Sequence, residues 1–279
     1  MHPVIFRIGD FAIRSWGLMM AISVLVGTLI AHKRAEKFGV KPDTIYDLVI
    51  VIVVAAIVGS RAFYVIFNLD EFRGQWLDII NPFHGQDGFG IAGLSMMGGV
   101  TLVVISIIVY TLVKKLSFPL IGDVVAPTFL LGAGITRIGC FLNGCCFGHP
   151  TTCWCGIHFP NGAAGGYLQQ YLSQYPDSAI TGLIPTQLMA SALGFILFFT
   201  VLLLERWRSF PGYTSWLVLG LYSLDRFFVD QFRHFQPNDI LGHIGHITFT
   251  ANEIILALLF VFSAIMFIIG FTKVKAQKR

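Results

Sequence analysis

Charge is scarce in this sequence. Only 12% of its 279 residues are Asp, Glu, Lys or Arg, 55% are hydrophobic, and the mean hydropathy is +0.74. Soluble domains carry about 25% charged residues, so the chain lacks the surface a water-facing globular fold needs. It also lacks a basic patch. The net charge is +4, but the Lys and Arg residues sit at the edges of apolar runs, so nucleic acid is not an expected partner. The first ten residues hold no basic, then apolar, then small-residue pattern, so the first apolar segment is expected to stay as a span rather than be cleaved. No shift of composition, repeat or low-complexity segment divides the chain, and residues 1–279 read as one membrane domain.

What is present is long apolar runs. A bilayer core about 30 Å thick needs roughly 20 apolar residues per helix. Runs that meet this length predict helices near 13–31, 44–67, 90–112, 119–142, 184–204, 213–232 and 251–271. The expected fold class is therefore an all-α integral membrane protein with about seven transmembrane helices. Orientation follows from Lys and Arg, which favour the cytoplasmic side. Lys33, Arg34, Lys37, Lys41, Lys114, Lys115, Arg206, Arg208, Lys273, Lys275, Lys278 and Arg279 all fall on one side of such an arrangement. Arg7, Arg14, Arg73 and Arg233 fall on the other, beside Asp70, Glu71, Asp78 and Asp87. The amino terminus is thus expected outside and the carboxyl terminus in the cytoplasm. Extracytoplasmic segments lie at about 68–89, 143–183 and 233–250, the second being cysteine-rich. Glycines crowd the third and fourth expected spans (Gly90, Gly93, Gly98, Gly99, Gly122, Gly132, Gly134, Gly139), where small residues let membrane helices approach closely.

Arg61, Arg137 and Arg226 lie inside expected spans, each toward the outer end. A charge at such depth costs several kcal/mol on insertion scales and marks a functional candidate. One reading is independent snorkelling to the headgroups. The other is convergence on an anion, most naturally a lipid phosphate, which the guanidinium fork suits. Asp230 follows Arg226 by four residues and can pair with it on one helix face, with Asp225 alongside. Asp123 reads as an interfacial or helix-start carboxylate.

The densest constellation is Arg137-Ile-Gly-Cys140-Phe-Leu-Asn143-Gly-Cys145-Cys146-Phe-Gly148-His149-Pro150. All five cysteines (Cys140, Cys145, Cys146, Cys153, Cys155) fall between 140 and 155, with His149 and His158 beside them. Structural or disulfide-bonded cysteines, a metal site and a reactive thiol are the three readings of this cluster. The paired CxxC spacing of a zinc finger is absent, so neither a metal nor any other cofactor is expected. His243 and His246 read as a ligand pair or as interfacial histidines.

Taken in order along the chain, these motifs resemble the prolipoprotein diacylglyceryl transferases of bacteria. The resemblance rests on Pro3-Val-Ile-Phe, Trp16-Gly17-Leu18-Met19, Arg61-Ala-Phe-Tyr64, Gly93-Leu-Ser-Met-Met-Gly98-Gly99 and Gly122-Asp123-Val-Val-Ala-Pro127. It continues through the Arg137–Gly148 core, Pro185-Thr-Gln187 and Tyr222-Ser-Leu-Asp-Arg226-Phe-Phe-Val-Asp230. It implies an enzyme of the bacterial cytoplasmic (inner) membrane, its active site toward the outer leaflet. Such an enzyme moves the diacylglyceryl group of phosphatidylglycerol to the thiol of a lipobox cysteine in a prolipoprotein signal peptide. By the same resemblance Arg137, Arg226, Asp230 and Tyr222 are catalytic, and Arg61, Asn143, Gly148, Gly98, Gly99, Trp16 and Met97 bind substrate.

The chain departs from the family pattern at several places. Trp16 stands where a tyrosine is usual, Met97 where a histidine is usual, and Asp230 where a glutamate is usual. Cys140 often has asparagine as its counterpart and Cys145 an acid, and no glutamate stands near Ala190. Methionine cannot take the proton of an attacking thiol, so His149, His84 or Cys145 is the expected proton acceptor. Two alternatives stand beside the transferase: a diverged relative using the lipid pocket with another acceptor or only for binding, and a membrane thiol or metal protein built on the cysteine cluster. The three arginines favour a lipid-phosphate protein over the last.

Overall fold

The computed structural model describes residues 2–8, 11–74, 79, 95–160, 162–175, 179–180, 182–235, 240–244 and 247–277. A short hairpin of β1 (Val4–Ile8) and β2 (Phe11–Arg14) leads into α1 (Ser15–Lys37) and α2 (Asp43–Phe67). A 3₁₀ turn at Leu69–Phe72 follows, then α3 (Met96–Val113) and α4 (Phe118–Asn143). Beyond α4 come β3 (Pro150–Thr151), α5 (Gly162–Gln174), β4 (Gly182–Leu183), α6 (Thr186–Leu204) and α7 (Tyr213–Asp230). A second hairpin, β5 (Ile240–Ile244) and β6 (Ile247–Thr250), precedes α8 (Ala251–Gln277).

Six of these helices are long and apolar enough to cross a membrane: α1, α2, α3, α4, α6 extended to Trp207, and α8. The shortest, α3 with 18 residues, spans about 27 Å at about 1.5 Å per residue. Their outer faces keep Leu25, Ile57, Leu112, Phe199 and Leu258 exposed. In water such surfaces would aggregate, whereas lipid tails cover them without loss. The chain is therefore an integral membrane protein. The segment expected at 213–232 does form a helix, α7, but Asp225, Arg226 and Asp230 leave it more polar than the six. The third expected span starts as a described helix only at Met96, and Gly90 and Gly93 lie outside the described residues.

The chain divides into two compact units, with the division falling inside α1 and near the start of α4. The smaller comprises Phe6–Ile13 and Thr28–Ile121 and is dominated by α2 against α3. Glycine makes that contact possible. A Cβ on Gly59 would come within 2.6 Å of the Leu102 Cβ, and Gly98 and Gly99 press as closely on Phe63 and Ser60. Both Gly98 and Gly99 are buried there. Close backbone approach replaces the hydrophobic drive that lipid cannot supply.

The larger unit contains Met1–Ile5, Arg14–Gly27 and Gly122–Arg279. Within it α7 packs on α6 and α8, and α4 approaches α6 where Gly194 meets the Gly134 backbone. Ser191 Oγ donates to the Gly134 carbonyl at 2.8 Å across that contact. Asp123 of α4 is fully buried. It accepts from Gly212 N at 2.8 Å, Ser215 N at 2.9 Å and Ser215 Oγ at 3.0 Å, with Arg208 Nε 3.5 Å away. It is a helix-start carboxylate, but for α7: the residue before that helix is Gly212, which has no side chain to cap the free N–H groups. Beside the spans, α5 covers a small core of Phe159, Ala164, Leu168 and Leu183.

Filling the α2–α3 contact should separate the helices. Gly59→Leu is expected to lower the unfolding midpoint of the detergent-solubilised protein by roughly 3–10 °C, the range for about 1–3 kcal/mol of overpacking. Gly17→Ala, with nothing within 4 Å of the new methyl, should leave the midpoint unchanged. Equal midpoints for both variants would mean that α2 and α3 do not meet at Gly59.

Candidate active site

The carboxyl end of α4 sets the site. At Gly144 the backbone turns left-handed (φ 71°), Gly144 N bonds to Phe141 O at 3.1 Å, and Cys145 N bonds to Cys140 O at 3.1 Å. This 5→2 and 6→1 pair is a Schellman stop, for which glycine has no side-chain penalty. The chain then runs through Cys146, whose own φ of 59° is one that a residue with a Cβ rarely adopts. The surroundings hold it there. Gln187 Nε2 donates to Cys145 O at 2.7 Å and Thr186 Oγ1 to Cys146 O at 2.8 Å, both from the first turn of α6. Gly148 N bonds to Ile184 O at 2.9 Å and His149 N to Phe232 O at 3.1 Å. A Cβ at Gly148 would lie 2.8 Å from Ile184 Cβ and from its carbonyl, so the loop closes only with glycine at that position.

Below this loop lies a buried charge network. Arg226 Nη2 donates to Asp230 Oδ2 at 3.0 Å and sits 2.9 Å from Oδ1. Asn252 Nδ2, in the first turn of α8, donates to Asp230 Oδ2 at 2.9 Å, and Arg233 Nη1 lies 3.9 Å from Oδ1. The Asp230 side chain is 0% exposed and that of Arg226 10%. A carboxylate so buried is tolerable only when paired and hydrogen-bonded. Asn252 is positioned by how α8 begins. Glu253 Oε2 accepts from Thr250 N at 2.8 Å, and its Oε1 takes Gln231 Nε2 at 2.9 Å. That is one half of a capping box, Thr250-Ala-Asn-Glu253.

Arg137, six residues before the end of α4, is near enough to Cys140, Cys146, Tyr222 and Asp230 for their charges to act on it. Tyr222 rests edge-on against Phe129, ring centres 4.9 Å apart. The Cys140, Cys145 and Cys146 sulfurs all lie within 4.8 Å of one another. The Cys145 thiol donates to Cys140 O at 3.7 Å, and Arg233 Nη2 reaches Cys146 Sγ at 3.5 Å. Hydrogen bonds from the Cys140 and Cys145 thiols, then the charges of Arg233 and Arg137, pull the Cys146 thiol far below its ordinary range. Cys153 and Cys155 form a disulfide, which leaves Trp154 exposed between them. His149 stays exposed at the loop's end, its ring 6.0 Å from that of His234.

The larger unit thus brings together Arg137, Arg226, Asp230, Tyr222, Asn143, Gly148, Cys145 and His149. Trp16 belongs to it as well, its Cα 3.1 Å from where a Gly139 Cβ would stand. Arg61, Met97, Gly98 and Gly99 belong to the smaller unit. There Arg61 Nε donates to Ile79 O at 2.8 Å, and its guanidinium lies 5.1 Å from the Phe72 ring centre. Met97 is largely exposed in the first turn of α3. His84 and His246 lie outside the described residues, and His243 falls in β5.

Residues 3–270 match the model of the family described as prolipoprotein diacylglyceryl transferase. The chain belongs to this family. Membership makes it a transferase of lipoprotein biosynthesis. Among its relatives, the phosphatidylglycerol–prolipoprotein diacylglyceryl transferase of Clostridium botulinum is 30% identical over 241 residues, covering 84% of this chain and 87% of the relative. A Clostridium perfringens protein of the same name, numbered 1, is 29% identical over 84% of this chain and 83% of its own length. The one from Clostridium kluyveri is 28% identical over 88% and 89%.

Three residues of this loop and charge network carry no role in the sequence pattern. Arg233 counted only as an external charge, and Asn252 and Gln187 had no role. A signal was available for Asn252, because the Thr-x-x-Glu pattern at 250–253 fixes where α8 starts and so which of its residues face inward. For Arg233 no periodic signal exists, since it lies past the last turn of α7.

Although His149 keeps exposed surface, protein packed around part of its ring disfavours the charged form and lowers its pKa from the usual 6.5, and desolvation followed by repulsion from His149 lowers that of His234. Depressed values mean that the neutral rings stabilise the fold above pH 6.5, a contribution lost as pH falls through the lower folded-state value. The unfolding midpoint should therefore drop between pH 7 and pH 5, and His234→Gln should flatten that drop. An unchanged pH profile in the variant would show that these imidazoles do not couple to folding.

Proposed function

We propose that this chain transfers the diacylglyceryl group of phosphatidylglycerol to the thiol of a lipobox cysteine in a prolipoprotein signal peptide. The reaction takes place at the outer leaflet of the bacterial cytoplasmic membrane. Seven spans, α7 included, cross the membrane, with the amino terminus outside and the carboxyl terminus in the cytoplasm. The reaction class rests on family membership. The observation that carries the residue assignment is the buried Arg226–Asp230 pair with Arg137 and Tyr222 in electrostatic reach of one another.

In the transfer, the thiol sulfur bonds to the glyceryl carbon that carries the phosphate, and the bond from that carbon to the phosphate oxygen breaks. Glycerol phosphate leaves with the electron pair. Its departure requires stabilisation of the charge that grows on the leaving oxygen. Asp230, itself fixed by Asn252, holds the Arg226 side chain before any lipid arrives, which leaves the remaining guanidinium N–H groups to meet the phosphate without reorganisation. Arg137 meets it from α4, and Tyr222 lines the same site. Within the larger unit Trp16, Asn143 and Gly148 serve lipid binding, and in the smaller unit the same role falls to Arg61, Met97, Gly98 and Gly99. His149, neutral at pH 7, exposed and held by Phe232 at the rim of the loop, is suited to take the thiol proton.

A change of Arg to Lys keeps the charge but loses the planar fork. Arg226→Lys and Arg137→Lys are each expected to slow transfer of labelled diacylglyceryl to a lipobox peptide by about 10²–10³-fold while the protein still inserts. Arg73→Lys alters only an exposed pair with Asp70 and should be nearly silent. Near-normal transfer by both span variants would remove the phosphate role. For the topology, a reporter active only in the cytoplasm should give signal when fused after Arg279 and none when fused before Met1, and the reverse pattern would overturn the orientation.

A further inference from the structure

The transfer chemistry uses the arginines and leaves a cluster of three thiols beside them without a role. Cys140 comes from the last turn of α4, Cys145 and Cys146 from the loop that follows, and among the described residues their group contains sulfur ligands alone. Three sulfurs around one ion at a metal–sulfur distance of about 2.3 Å lie about 4 Å apart. The native separations, all within 4.8 Å, need only a slight contraction to reach that.

The cluster is also held in place in advance. Gln187 and Thr186 fasten the carbonyls of Cys145 and Cys146, the Cys145 thiol donates to the Cys140 carbonyl, and Cys146 is kept in a left-handed backbone conformation. Little ordering remains to be done when an ion arrives. Cys153 and Cys155 are bonded to each other and do not compete for it.

We propose that Cys140, Cys145 and Cys146 form a trigonal, all-thiolate site for a soft monovalent cation of the copper(I) kind. Ligand type and number select that class of ion, and Arg233, whose Nη2 lies 3.5 Å from Cys146 Sγ, offsets part of the thiolate charge. Zinc favours four ligands and its structural sites are closed tetrahedra, whereas thiolate sulfur selects copper(I). The spacing of the cysteines along the sequence argues against a metal, and the site arises only because the Schellman stop folds the loop back over the last turn of α4. The inference is independent of the transfer reaction, and its test does not use activity.

The experiment titrates the purified, detergent-solubilised full chain with copper(I) in the absence of oxygen, against a chromophoric copper(I) chelator. One equivalent should pass to the protein, and X-ray absorption should report three sulfur neighbours. Cys140→Ser, Cys145→Ser and Cys146→Ser should each weaken binding about 100-fold or more, beyond what loss of an outer-shell partner does. Cys153→Ser should bind as the parent does. Because a serine in the loop could disturb folding, the unaltered protein supplies a second reading: copper(I) should protect three thiols from maleimide labelling. Failure to draw copper(I) from the chelator would overturn the proposal, as would tighter binding of zinc(II), labelling unaffected by copper(I), or isolation of two of the three thiols as a disulfide.

Discussion

A carboxylate with no exposed surface, near the end of a helix that has to pack among apolar ones, is the constraint around which the larger unit is arranged. Asp230 cannot be left alone there, since an uncompensated buried charge costs several kcal/mol. It is matched by Arg226 on its own helix, by Asn252 on α8 and, more distantly, by Arg233 just beyond α7. Each partner imposes a requirement. Asn252 has to face α7, which ties the first turn of α8 to a fixed rotation, and Glu253 holds that turn through Thr250 and Gln231. Arg233 has to reach back, which places the following segment against the Gly148 loop. The buried Arg226–Asp230 pair on α7 thus also aligns that helix with α8.

The loop after α4 shows how backbone geometry and chemistry are joined. Its hydrogen bonds run to Ile184, Thr186, Gln187 and Phe232, so it is fastened from both sides and its thiols cannot drift. Glycine serves two different ends within five residues. Gly144 allows the left-handed stop of the helix, and Gly148 allows two other backbone segments to come within van der Waals range. A family of enzymes acting on a lipid phosphate needs such stiffness, because donors that must reorganise during the reaction lose much of their effect.

Much of this was legible in the sequence. Low charge and long apolar runs were enough for a membrane protein and placed most helix ends to within two residues, the ends of α1 and α8 and the described start of α3 lying six away, because a bilayer permits few solutions for a backbone that must satisfy its own hydrogen bonds. The i,i+4 spacing of Arg226 and Asp230 foretold their pairing, since helix periodicity is a local property. The ordered motifs resemble one family, and the model of that family matches residues 3–270.

Other features depend on where distant segments meet, and no local pattern encodes that. Asp123 was read as a helix-start residue, yet the helix it serves is α7, nearly a hundred positions away. Gly98 and Gly99 stood among the expected substrate contacts, and the structure shows what their missing side chains permit, the close approach of α2 and α3. The division into two units, the partnership of Asn252 with Asp230 and the convergence of three thiols follow the same rule. Sequence determined which segments enter the membrane and which charges share a helix face, because both follow from composition and the pitch of one helix. Tertiary structure alone decided which buried charges, thiols and glycines become neighbours, because burial cost is set by whatever partner the rest of the chain brings.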